Sequence, residues 1–467
     1  MDKKSDAGVK AAYLWALAFA LTMYQFLLTE LLVNDLSATR LGKEASIYLY
    51  ALTMASAAAG YLAFALRARG RSASRLWISG GALLSGLCLT AAAAAPFPSL
   101  LKTGACASLF CVGVSQGCLC AGMSRSMQGS PFLGRTAGAG ICGAVAAQYA
   151  VQTAFHGRIF LQALSIVAAA LALSFLQRRL PQGSSGNTER ADSGRVLRIM
   201  GPSIAVALLA SLILNAEDCI ATALHATGNI NVGDWPRLCY ALSALLAGCL
   251  ADWRKGRWLG LALLCVLLTS LSFYALPLSA GFSPSFYPLL IYVQGGFYVV
   301  YLTSAFIKKA ALTGYPELWA GMGRVIRSLS LAAILLFMAE REIRPLPMMA
   351  ANTVLLALLA GVVAVKNQPA ETGVPAPPLS AEERLAFYAR SHGLTERENE
   401  VLAKVLESER PLREIALDVY MSERVLQRRL SSIYAKAGVK SRRALLRDFY
   451  DCDASPQTPA APEKSAL

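Results

Sequence analysis

The residues of this 467-residue chain whose types and spacing could do chemistry fall into two groups. The first is a set of polar side chains inside long apolar stretches: Glu30, Gln148, Gln152, Glu217, Asp218, Tyr292, Gln294 and Tyr298. A charge in such surroundings is costly to dissolve and needs a reason to be there. Carboxylates, amides and phenols together would line a pocket for a small polar ligand. The second group is basic. Residues 422–447 carry Arg424, Arg428, Arg429, Lys436, Lys440, Arg442, Arg443 and Arg447 against Glu423, a net +7. Positions 424, 427, 428 and 431 share the solvent face of a helix whose other face is apolar. Glutamine can bond bidentately to adenine and arginine to guanine in the major groove. Hydrolytic and metal chemistry find little support. The chain has three histidines and no HExxH, GxSxG or Walker-type loop. Cys118 and Cys120 are one residue apart, which fits no usual zinc spacing. No catalytic residue, metal site or cofactor is expected, and the chain does not read as an enzyme.

The elements that must position these groups follow from composition. The chain is 55% hydrophobic and only 16% charged, against roughly a quarter charged in soluble proteins. Residues 1–379 carry a net +14 spread thinly over apolar sequence, whereas 380–450 hold 14 basic and 11 acidic residues. Two solvents are implied, changing between residues 366 and 380. Apolar runs of about 20 residues, long enough to span a bilayer core, occur at twelve places. They are 11–33, 45–66, 76–95, 103–123, 136–156, 158–176, 199–222, 237–251, 257–276, 284–306, 318–338 and 346–365. The fold class is therefore all-α: a polytopic membrane protein of about twelve transmembrane helices with a small C-terminal helical domain.

The distribution of Lys and Arg sets the orientation. With the N-terminus inside, the inner segments collect 20 basic residues and the outer segments 7. Both termini then lie in the cytoplasm of a bacterial membrane. The lysine-flanked run from Ala11 exceeds the 7–15 residues of a secretion-signal core and reads as an uncleaved first helix. Counted from the inner ends, Glu30, Glu217 and Asp218 sit near the outer face. Arg324 and Arg327 sit low in the eleventh span, within snorkelling reach of the cytoplasmic interface.

The spans group as two sixes, joined by the basic loop 177–198. After the second span the chain reads GYLAFALRARGR (60–71), and after the eighth GCLADWRKGR (248–257). The second copy, with Gly248, Leu250, Ala251, Asp252, Gly256 and Arg257, resembles the loop motif of the major facilitator transporters; the first has Phe64 in place of the aspartate. The resemblance implies a twelve-helix fold of two halves in which this loop helps hold and gate conformational states.

Residues 366–380 contain four prolines and read as a linker, 381–450 as a helical domain, and 451–467 as a disordered tail. Ser380 can cap a first helix that ends near Gly393. Thr395 and Glu398 form a capping box for a second. Pro411 suits the first turn of a third, Ser422 caps a fourth that Gly438 stops, and Ser441 caps a last. The fourth helix would bury Val425, Leu426, Leu430, Ile433 and Tyr434. LTERENEVL (394–402), REIA (413–416) and SERVLQRRLSSIYAKAGVKSRRALL (422–446) resemble the LuxR-type helix-turn-helix. That resemblance implies binding to double-stranded DNA, with Gln427, Arg428 and Ser431 facing bases. Arg413, Arg424, Lys436 and Arg442 would hold phosphates. It also implies a homodimer paired through the last helix by Leu445, Leu446 and Phe449.

Together these features lead to the expectation of a membrane-anchored one-component transcription regulator. Its membrane domain would sense a small molecule or the state of the lipid, and the tethered module would bind promoter DNA. The alternative expectation is a transporter with a regulatory or DNA-binding tail. A third is an interaction scaffold with no role at DNA.

Overall fold

In the computed structural model, the described residues are 3–68, 76–94, 97–181, 193–226, 230–231, 233–275, 286–339, 345–367, 381–407, 411–439 and 441–451. Every regular element among them is a helix. The expectations for most of the 366–380 linker, for Ser380, for the centre of loop 177–198, for Lys440 and for the tail after Asp451 lie outside the described residues. The chain divides into two compact units, Met1–Asn367 and Gln368–Leu467.

The first unit begins with α1 (Lys3–Leu41), α2 (Lys43–Arg67), α3 (Leu76–Ala94), α4 (Pro98–Ser126), α5 (Leu133–Ala154) and α6 (Ile159–Leu176). It continues with α7 (Ser193–Ala226), α8 (Arg237–Asp252), α9 (Leu259–Leu267), α10 (Ser270–Ala275), α11 (Tyr287–Ala310), α12 (Pro316–Trp319), α13 (Met322–Ala339) and α14 (Pro345–Asn367). A chain dissolved in hydrocarbon must satisfy its backbone polar groups within each segment, and a helix does so. Helix occupies each of the twelve expected intervals. Among the described residues, nine helices are long and apolar enough to cross a membrane: α1–α4, α6, α7, α11, α13 and α14. The other three intervals fall short for different reasons. α5 is interrupted by Arg135, Gln148 and Gln152 and is rich in glycine. α8 has only 16 residues, and the ninth interval breaks into α9 and α10 around Thr269.

Each half packs around its own helices, through α1 with α5 and α6, α2 with α4, and α7 with α13 and α14. The halves meet chiefly through α5 against α8 and α2 against α13. These two contacts become one another when the halves are exchanged, because the second and eighth, and the fifth and eleventh, intervals correspond. At the α5–α8 crossing the backbones touch. A Cβ on Gly138 would lie 2.6 Å from the Ala244 carbonyl oxygen and 2.9 Å from Gly248 Cα. Small residues at membrane helix crossings permit this approach, and van der Waals packing rewards it.

Asp252 closes the same contact at the end of α8. Its Oδ1 accepts from the Gly134 N–H at 2.6 Å and its Oδ2 from the Arg135 N–H at 2.8 Å. A carboxylate of one half thus caps the N-terminus of a helix in the other, where free N–H groups and the helix dipole favour negative charge. Just before α13, a second charged link joins the halves: Arg125 at the end of α4 pairs with Glu317 of α12. Phe64, which occupies the aspartate position of the first motif copy, is buried.

The second unit is a bundle of α15 (Ala381–Ser391), α16 (Glu396–Glu407), α17 (Leu412–Asp418), α18 (Glu423–Ala437) and α19 (Arg442–Asp451). Its core is Tyr388, Val401, Leu402, Val405, Ile415, Ala416, Leu426, Leu430, Ile433, Leu445 and Phe449.

Replacing Gly138 with leucine should separate α5 from α8 and lower stability by about 1–3 kcal/mol or more, the usual range for overpacking. Thermal melting of the detergent-solubilised full chain checks this. An unchanged melting point would show that the crossing is not tightly packed.

Candidate ligand cavity and nucleic-acid interface

Between the two halves lies a half-open cavity of about 130 Å³ whose lining includes Glu30, Asn34, Tyr50, Gln148, Asp218, Arg237, Tyr292 and Arg327. A second, of about 90 Å³, shares Asp218, Tyr292 and Arg327 with it and adds Asn215, Tyr240 and Tyr298. Of the eight residues expected in a pocket, Glu30, Gln148, Asp218, Tyr292 and Tyr298 therefore line this connected space. Gln152 stands behind it, accepting from Arg237 Nη1 at 2.5 Å. Glu217 and Gln294 do not belong to it. Successive residues of a helix point about 100° apart, so Glu217 turns away from its neighbour Asp218 and is fully buried. There the Gln294 amide donates to Glu217 Oε2 at 2.6 Å and accepts from the Thr269 hydroxyl at 2.9 Å.

The expectation that Arg324 and Arg327 snorkel to the interface is overturned. Arg327 Nη2 lies 3.5 Å from Glu30 Oε1, with both side chains largely buried. Arg324 is 5% exposed, with Nη2 2.9 Å from the Met23 sulfur. The depth count failed because α1 runs on to Leu41, eight residues past the expected end of the first span at 33. Glu30 lies eleven residues before Leu41 and Arg327 twelve before Ala339. At 1.5 Å per residue, both are roughly 17–18 Å from those ends. Tyr50 donates to Glu30 Oε1 at 2.6 Å, so the carboxylate is held by groups from both halves. Sequence reasoning missed Arg237, which it counted as a loop charge, as well as Tyr50 and Asn34. Counting from the outer ends of the apolar runs would not have found Arg327 either, because the first run stops at 33 while α1 continues to Leu41.

In the second unit, α18 presents two faces. Leu426, Leu430 and Ile433 point into the core, while Arg424, Gln427, Arg428 and Ser431 are exposed. Val425 is 44% exposed, not buried as expected, because the inward stripe at 426, 430 and 433 leaves its neighbour 100° off the core. Gln427 Nε2 rests 3.4 Å from Glu423 Oε1, and Ser431 Oγ donates to the Gln427 carbonyl at 2.9 Å. Arg413, on α17, is exposed as well. Gly438 ends α18 at φ 69°, and Tyr420 takes φ 52° in the turn between α17 and α18. Ser422 is at the N-cap of α18 without a side-chain cap bond, and Pro411 sits one position earlier than expected, at the N-cap of α17.

Two expected phosphate ligands have protein partners. Lys436 Nζ lies 2.7 Å from Glu398 Oε2 and 3.1 Å from the Gly393 carbonyl. Arg442 Nη2 donates to the Val405 carbonyl at 3.3 Å. The expected dimer residues take different places within the single chain. Leu445 is fully buried and Phe449 is 5% exposed, both in the domain's own core, which a bundle this small cannot close without α19. Leu446 alone of the three is outside that core, and it is half-buried.

The Thr395–Glu398 capping box forms as expected: the Thr395 N–H donates to Glu398 Oε2 at 2.8 Å. Burial pushes the Glu398 carboxyl up. Bonds from Lys436, from the Thr395 N–H and hydroxyl and from Ser432 outweigh it and hold the group down at about 2. The carboxylate thereby ties α16 to α18.

No family model matches this chain, and no curated relative matches it.

Removing Arg327 leaves the Glu30 carboxylate buried and unpaired. Arg327→Met should cost about 3–5 kcal/mol, and adding Glu30→Gln should recover part of it. Strictly additive melting shifts for the two would show the groups uncoupled. Glu398 gives a pH test. Its folded value lies below the ~4.3 of an unstructured chain, so its contribution is complete at neutral pH. That contribution is lost as pH falls from about 4.5 towards 2. Denaturant unfolding of residues 381–451 should weaken across that window, and Glu398→Gln should flatten the dependence.

Proposed function

We propose that this chain is a membrane-anchored one-component transcription regulator. Twelve spans, of two six-helix halves, place both termini in the bacterial cytoplasm, and the C-terminal unit is a LuxR-type helix-turn-helix that binds double-stranded DNA. The observation that carries the reading is the exposed row Arg424, Gln427, Arg428 and Ser431 on α18, backed by the buried stripe Leu426, Leu430 and Ile433. A helix rigidly backed by its own core and edged with arginine and glutamine suits the width of the major groove. Gln427, Arg428 and Ser431 read bases, and Arg413 and Arg424 hold phosphates. Lys436 and Arg442 add positive charge to that face while also bracing the domain. The membrane unit acts as the sensor. Its ligand must bind one arrangement of the two halves more tightly than another, and that difference controls the access or pairing of the DNA modules.

A second reading has specific support. The Asp252 cap across the α5–α8 contact and a charged cavity between the halves would also suit a major-facilitator-like transporter with a DNA-binding tail. Chromatin immunoprecipitation of the tagged full-length protein in its own bacterium separates the two readings. Discrete peaks are expected, and Arg428→Ala should abolish them, since each bidentate base contact is worth about 1–3 kcal/mol. Absence of peaks in the unaltered protein under every growth condition, together with solute uptake that depends on Asp252, would favour the transporter.

A further inference from the structure

The lining of the cavity between the halves holds two opposite charges that the protein leaves without full compensation. Arg237, at the first position of α8, is only 8% exposed, yet its hydrogen bond among the described residues is the single one from Nη1 to Gln152. Its guanidinium also lies 5.8 Å from the Tyr292 ring. Across the cavity, the Asp218 carboxylate accepts no hydrogen bond from the described residues. Asp218 feels the charge of Arg327 first and that of Arg237 less, and forms an ion pair with neither among the described residues. Glu30 and Arg327 lie in the same wall, already paired with one another. A guanidinium has five N–H donors, and burying it with most of them unused is unfavourable unless something else fills them. The Asp218 carboxylate, only partly buried, faces the cavity without a protein donor among the described residues.

We propose that this cavity binds a small zwitterion: an amino acid whose carboxylate is held by Arg237 and whose ammonium is held by Asp218. The proposal rests on the sensor reading and names the class of its ligand. A simple anion would answer Arg237 and leave Asp218 bare, and a simple cation would do the reverse. A molecule carrying both charges answers both cavity-lining groups at once, beside the Glu30–Arg327 pair in the wall and Asp35, which acts on Arg237 from outside the lining. The volume of about 130 Å³ suits a small solute. Leu27, Leu31 and Ile291 offer apolar wall for a side chain, and the Tyr292 ring lies beside the Arg237 guanidinium. Asn34, Thr222 and Arg237 lie within two turns of the ends of α1, α7 and the start of α8. The cavity is therefore close to the face opposite Asp252 and Arg125, which in the proposed topology is the outer one.

The test uses the full-length protein in detergent micelles, with the twenty standard L-amino acids as probes. Binding is read by thermal shift and then by calorimetric titration. At least one amino acid should stabilise the protein. Its amide, which lacks the carboxylate, and its N-acetyl form, which lacks the ammonium, should not. Asp218→Asn and Arg237→Gln should each weaken binding about thirtyfold or more, the usual loss when one partner of a buried charge pair is removed. Arg237→Lys keeps the charge and should retain more of the affinity than Arg237→Gln. Melting of the unliganded variants at the wild-type temperature identifies a loss of binding that is not a loss of fold. No shift with any of the twenty would overturn the proposal. So would equal binding of the amide or N-acetyl form, or full affinity in Asp218→Asn. Because binding is read without DNA, such a failure leaves the chromatin result standing, and a chromatin failure leaves this result standing.

Discussion

Glu30 and Arg327 face one another across the two halves of the first unit, largely buried in the wall of the cavity, where an unmatched charge is poorly solvated. That requirement organises much of what surrounds them. Tyr50 reaches Glu30 from α2, while Arg327 and Glu30 set the charge around Asp218, so α1, α2, α7 and α13 are coupled through a few side chains. Pairing of this kind contributes little net stability relative to an apolar replacement, but breaking it is expensive. It therefore fixes which surfaces of the halves meet more than how tightly they hold.

The same two halves bring their backbones together where side chains are nearly absent, at Gly134, Gly138 and Gly248. There the Asp252 carboxylate reaches the free N–H groups of α5. A contact built from backbone approach and a helix cap is discrete, since a small displacement forfeits it altogether. With an ion pair and a cavity towards one face and a cap towards the other, the interface has parts from which two alternative arrangements could be made. A ligand that differs in affinity between such arrangements is what a sensor or a carrier equally requires.

In the second unit, one buried carboxylate does the organising. Glu398 closes its own capping box and also receives Lys436 and Ser432 from α18. The helix that carries the exposed arginine and glutamine row is thus held against α16 by polar bonds as well as by its leucine stripe. A rigid backing lets a few side chains discriminate, because the cost of ordering them is met on folding and not on binding.

Much of this was legible in the residues. The long apolar runs required helices, because hydrocarbon gives backbone groups no other partner. Short-range patterns also carried through: Thr395 with Glu398, Ser441 at the start of α19 and Gly438 at the end of α18 depend only on neighbours in the chain. The periodicity of α18 separated its exposed row from its core stripe, with Val425 misplaced by a single step of 100°. What the tertiary structure alone decided was partnership. The sequence contained Glu30 and Arg327 but not their common depth, since that depends on where α1 actually ends. It contained Glu217 and Asp218 side by side, but which of them faced a cavity depended on the rotation of α7 against its neighbours. It contained Leu445 and Phe449, whose burial was settled by how many helices the small core needed to close. Local order follows from contacts a few residues apart. Depth, rotation and closure follow from contacts between residues separated by as many as 300 positions, and no window along the chain spans those.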